Sequence, residues 1–108
     1  MNKDILKELS KVLEQRKNAD PDSSYVASLY SQGLDAILKK IGEEATEVII
    51  AANTQQKEAI IHETADLWFH TLVLLAQQDL SISDILLELE SRFGLSGIEE
   101  KARRQTDN

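Results

Sequence analysis

The stretches GEEATEVII (Gly42–Ile50) and HETADLWFH (His62–His70) decide how this chain is read. Each sets carboxylates three residues apart inside what is otherwise the apolar face of a helix. Residues three and four apart share one face of a helix. Burying an unpaired negative charge on such a face is costly, so these acids call for a compensating partner.

Around the first stretch, Leu34, Ile37, Leu38, Ile41, Ala45, Val48 and Ala52 recur with helical period and form one apolar arc. Glu44 falls on the edge of that arc and Glu47 just beyond it, while Lys40 and Glu43 continue the polar side. In the second stretch Ile60, Thr64, Leu67, Thr71, Leu74 and Leu75 form the arc expected to face the core. Glu63 and His70 flank it with Asp66 adjacent, so Glu63, Asp66 and His70 share a stripe at i, i+3 and i+7.

Elsewhere no run alternates with period two, and 4 Gly with 1 Pro leave little turn chemistry, so the chain reads as all-α. A first helix is expected from about Lys3 to Arg16, ending before the loop Asn18-Ala19-Asp20-Pro21-Asp22. Ser23 or Ser24 would cap a short helix closed by Gly33, and Asp35 would cap the next, which runs to about Asn53. An interior glycine costs roughly 1 kcal/mol relative to alanine, so Gly42 hints at close approach by another backbone or a ligand. After a helix over about Gln56 to Gln78, Ser81 and Asp84 resemble a capping box before Ile85 to Phe93, and Gly94 stops that helix. A short last helix is expected around Ile98 to Arg104.

At 108 residues with 42% hydrophobic and 29% charged side chains, residues 1–108 are expected to form one domain, a helical bundle whose core a partner subunit is expected to complete. The net charge of −7 disfavours nucleic acid and anionic membrane surfaces as partners. Absence of Cys excludes disulfides and thiolate chemistry, and the Met-Asn-Lys-Asp start lacks the apolar core of a signal peptide. The stretch Leu67 to Ala76 is too short to span a bilayer, and the expected location is the cytoplasm. Because it is apolar nearly all round, it should be enclosed, with a second subunit as the expected cover.

A two-residue connection should make the two acid-bearing helices antiparallel and bring their stripes face to face. Like charges about 4 Å apart repel by roughly 4 kcal/mol at an effective dielectric of about 20. Four converging carboxylates therefore suit a hard divalent cation, Mg²⁺ or Mn²⁺. One acidic pair alone is ordinarily a solvated face; two pairs on consecutive helices, both beside apolar arcs, suggest more. His70 reads as a histidine that orients a carboxylate from behind, with direct ligation or general-base work as alternatives. Lys39, Lys40, Arg103 and Arg104 are ordinarily solvent charges, though Lys40 lies one turn before Glu44, within reach of a phosphate. Trp68 and Phe69 are most simply packing residues.

The segments SYVASLYSQGLDAILKKIGEEATEVIIAA (Ser24–Ala52) and HETADLWFHTLVLL (His62–Leu75), with RFGLSGIEEKARR after them, resemble the phosphoribosyl-ATP pyrophosphohydrolase family of the all-α NTP pyrophosphohydrolase superfamily. The resemblance implies hydrolysis of phosphoribosyl-ATP to phosphoribosyl-AMP and pyrophosphate, the second step of histidine biosynthesis. It places the metal motif on Glu44, Glu47, Glu63 and Asp66, with Lys40 and Glu43 as site neighbours; anhydride hydrolysis then calls for a general base, expected at Glu43 or Glu47, and for cations on the triphosphate, expected at Lys40 and in the Lys101 to Arg104 segment, at Arg104. Ser24, Tyr25 and Ser28 match the segment particular to this family and are expected near substrate. A stand-alone homodimer is implied, with a separate phosphoribosyl-AMP cyclohydrolase as a further partner to consider. The rivals are a house-cleaning nucleoside triphosphate pyrophosphohydrolase using the same acids, and a catalytically silent acidic helical adaptor.

Overall fold

The computed structural model describes residues 4–94, and all of its regular structure is helical. The elements are α1 (Ile5–Gln15), a 3-10 turn (Arg16–Asn18), α2 (Tyr25–Gln32), α3 (Leu34–Thr54), α4 (Lys57–Gln77) and α5 (Ile82–Phe93). The helix expected around Ile98 to Arg104 lies outside the described residues.

Helix starts follow local hydrogen-bonding chemistry. Ser24, not Ser23, caps α2, its hydroxyl accepting the Ala27 N–H at 3.1 Å. Gly33, at φ 99°, both ends α2, donating its N–H to the Leu29 carbonyl at 3.0 Å, and begins α3, accepting from the Ile37 N–H at 3.3 Å. That glycine starts the helix ahead of Asp35, so Asp35 sits in the first turn rather than at the cap, where its charge still complements the helix dipole. Asp84 accepts the Ser81 N–H at 2.9 Å and sends its own N–H to the Ser81 carbonyl at 3.0 Å, which starts α5 at Ile82.

Gln55, in the left-handed conformation at φ 59°, closes α3, and Gln55-Gln56 turn the chain so that α3 and α4 pack as an antiparallel hairpin. α1, α2 and the start of α3 cover the C-terminal half of α4. Leu13, Ile37 and Val73 are fully buried there, joined by Val26, Leu29, Leu72, Leu75 and Ala76. Each Leu, Ile or Val among them contributes about 1.5–3 kcal/mol relative to exposure. The Tyr30 hydroxyl donates to the Leu13 carbonyl at 2.9 Å, tying α2 to α1. Lys17 pairs with both Glu14 and Asp79 at 3.0 Å, fixing the end of α1 against the turn between α4 and α5.

Both expected apolar arcs turn out to be rotated. On α3, Ile37 and Ala51 are buried, whereas Leu34, Leu38 and Ala52 are exposed. On α4, Thr71 faces solvent and bonds back to the Leu67 carbonyl at 2.8 Å, while His70, Leu72, Val73, Leu75 and Ala76 are buried. Periodicity selects no face in a stretch that is apolar on nearly every side, so tertiary packing chose it. The chain's own α1 and α2 cover much of this stretch, while Trp68 and Thr71 on it stay exposed. Among the described residues of this chain no backbone packs on Gly42, since a Cβ there would meet nothing within 4 Å. No helix among the described residues is long and apolar enough to cross a membrane.

Candidate active site

The rotation of α3 changes the standing of one acid. Glu44 is seven residues from both Ile37 and Ala51, the two buried residues of the helix, so it sits on the inner line and not at the edge. Its side chain is 13% exposed, and Lys40, one turn earlier, lies 3.5 Å from it and 3.7 Å from Glu43. A lysine N-terminal to its glutamate is the weaker order for a helical pair, so packing rather than helix preference accounts for this arrangement. The Lys40 ammonium is held above its ordinary value, first by Tyr25 and then by Glu44 and Glu43, against the opposing effect of burial. Glu47, a turn further, is exposed.

Across the seam, α4 presents Glu63 and Asp66, both half-buried, with exposed His62 beside them. His62 Nε2 is 3.5 Å from an Asp66 carboxylate oxygen, and one donor atom from each of the three residues falls within 4.8 Å of the others. Glu44 and Glu47 are not members of that close group. Sequence reading missed His62, although its spacing of four from Asp66 was the available signal.

His70 is 5% exposed and fully engaged. Its Nδ1 lies 2.8 Å from the Asp66 backbone carbonyl, which can only accept, so Nδ1 carries the proton. On a neutral ring Nε2 is then an acceptor, and the Tyr25 hydroxyl donates to it at 2.8 Å. His70 thus braces the turn bearing Asp66 through its backbone, not through a carboxylate. The Tyr25 ring packs against Phe69 at a centroid distance of 6.5 Å. Burial pushes the Tyr25 phenol above its ordinary value, with Lys40 opposing and Glu44 and Asp66 adding.

Tyr25 also lines a cleft of about 250 Å³ between α2 and α3. One stripe of each helix forms its walls: Tyr25, Leu29 and Gln32 from α2, and Ala36, Lys39, Lys40 and Glu43 from α3. Of these, only Tyr25, Lys40 and Glu43 stand out in the sequence as site residues; Gln32 and Lys39 follow by helical spacing once the pairing of α2 with α3 is known. The Ser24 hydroxyl is engaged as the α2 cap, and the Ser28 hydroxyl donates to the Tyr25 carbonyl at 2.6 Å. Neither lines the cleft. Arg104 lies outside the described residues.

A family model described as phosphoribosyl-ATP pyrophosphohydrolase matches residues 6–93. Curated relatives named phosphoribosyl-ATP pyrophosphatase include one from Hydrogenovibrio crunogenus, 56% identical over 112 positions covering 100% of this chain and 99% of that one. Another, from Methylococcus capsulatus, is 61% identical and covers 94% of this chain and 97% of its own length. A third, from Ruthia magnifica, is 57% identical over 94% of this chain and 96% of its own. The matched span takes in the α3–α4 hairpin, its acidic stripes and the α2 segment that braces them, and on this likeness the chain belongs to the phosphoribosyl-ATP pyrophosphohydrolase family.

Proposed function

We propose that this chain hydrolyses phosphoribosyl-ATP to phosphoribosyl-AMP and pyrophosphate, in the second step of histidine biosynthesis. The names of its relatives support the substrate. The observation that carries the chemistry is Glu44, a carboxylate turned inward on α3 with the Lys40 ammonium 3.5 Å away.

The set Glu44, Glu47, Glu63 and Asp66 offers only carboxylate oxygens, which fit a hard cation, Mg²⁺ or Mn²⁺. When bound, the ion neutralises phosphate charge and acidifies a bound water. Water attacks the α-phosphorus, the bond from it to the bridging oxygen breaks, and pyrophosphate leaves. Lys40 offsets charge on the triphosphate, with Arg104 as the further basic residue of the proposal. Glu43 or Glu47, both exposed on α3, takes the proton from water. His70 and Tyr25 hold the Asp66 turn in place.

The proposal includes a homodimer in the cytoplasm. α5 has no buried residue, and Leu86, Leu87, Leu89 and Phe93 stand exposed on it; Ile49, Ile61 and Trp68 are exposed on the hairpin. Apolar surface of this extent marks an interaction site, and a second copy would cover it. Light scattering should return twice the chain mass, and Leu87→Asp should return the single mass. Whether a cyclohydrolase docks as well is tested by co-sedimentation of the two purified proteins.

The activity itself is tested by pyrophosphate release from phosphoribosyl-ATP with Mg²⁺, with EDTA, and beside an ATP control. Metal-dependent release from phosphoribosyl-ATP is the expected result. Its absence with folded protein, together with hydrolysis of free nucleotides, would establish the house-cleaning activity in its place.

A further inference from the structure

We infer that the cleft between α2 and α3 is the subsite for the phosphate-bearing ribosyl arm of the substrate, with Lys39 as the residue that recognises that phosphate. The inference rests on the proposed substrate. At about 250 Å³ the cleft is smaller than the roughly 300–1,000 Å³ of a site that encloses a whole drug-sized ligand. It therefore holds one part of a nucleotide carrying four phosphates, not all of it.

Charge selects the part. Lys39 and Lys40 against Glu43 give the lining an excess of one positive charge, in a chain whose net charge is −7. Lys40 is already held by Glu43 and Glu44, whereas Lys39 makes no ion pair among the described residues. Position separates the two roles. Lys40 stands at the carboxylates, where the triphosphate must lie to be cleaved, and the cleft leads from there along α2 to Gln32. Gln32 adds an amide that can donate to a phosphate or hydroxyl oxygen, and Leu29 and Ala36 supply an apolar floor against which a sugar can rest. Lys39 is thereby a specificity residue, because ATP has no group to place beside it.

The test is calorimetric titration of the metal-free protein with phosphoribosyl-AMP and with AMP, which differ by that arm alone. Wild type should bind phosphoribosyl-AMP more tightly. Lys39→Ala should weaken phosphoribosyl-AMP by about tenfold, as expected for one solvent-screened charge-assisted bond, while shifting AMP by less than about twofold; Lys39→Arg should restore most of the loss. Equal weakening of both ligands, or none, overturns the inference. So does a loss of inhibition by pyrophosphate in Lys39→Ala, which would assign the cleft to the leaving group. Failure of wild type to hydrolyse phosphoribosyl-ATP would instead remove the proposed function, so the two failures are distinguishable.

Discussion

The two halves of α4 share one helix and live in different environments. From His70 to Ala76 every side chain but Thr71 packs into the core under α1 and α2, and His70, the one buried polar residue among the described residues, has both ring nitrogens bonded. From Lys57 to Asp66 the helix carries carboxylates on a half-exposed face, and on α3 Glu44 is turned inward. The apolar half is complete within the chain. The acidic half is the part to which the proposed chemistry is assigned, so the two halves should answer differently to substitution.

The largest effect should come from the acidic half. Glu63→Gln and Glu44→Gln are expected to lower turnover by at least about a hundredfold with helical circular dichroism unchanged, since each removes charge without volume. Near-normal turnover at saturating Mg²⁺ would break the contrast by showing that the acids are ordinary surface charges.

The apolar half should answer in stability instead. Ile37→Ala and Leu13→Ala, at positions with almost no solvent exposure, should each cost about 2–5 kcal/mol in urea unfolding. A cost below about 1 kcal/mol would mean that the core lies elsewhere. Tyr25→Phe joins the two halves. Without its hydroxyl, buried His70 loses a partner, for about 1 kcal/mol of stability and a weaker brace on the Asp66 turn.

A smaller effect concerns alkaline pH. Burial raises the Tyr30 phenol above its ordinary value, with Lys17 opposing and Glu14 adding. A folded-state value above the unfolded one means that the neutral phenol's contribution is complete below the unfolded value near 10.0 and is lost as pH climbs through the folded one. Urea midpoints taken between about pH 9 and about pH 11 should fall less steeply in Tyr30→Phe than in wild type. The smallest change is Gly42→Ala. It should add roughly 0.5–1 kcal/mol of stability in the isolated chain, because the new Cβ meets no neighbour. A loss would show that a partner or ligand packs there.

Most of the fold was legible because its signals are local. Ser24, Gly33 and the Ser81 and Asp84 pair mark boundaries through bonds that span a few residues. The faces of α3 and α4 were less legible. Leu34 and Leu38 are as apolar as Ile37, and composition cannot say which of them a neighbouring helix will cover. For the same reason Glu44 reads as an edge residue until α3 is docked, and His70 reads as a partner for a carboxylate until its bonds to Tyr25 and to the Asp66 backbone are seen.

By itself the sequence determined an all-helical chain, the two acidic stripes and their spacing, because helical period is a property of the backbone. Only the tertiary structure decided how far each helix turns about its axis, that Glu44 points inward, and that Gln32 and Lys39 meet Tyr25 across one cleft. Those follow from side-chain packing between segments distant along the chain, which no local pattern encodes.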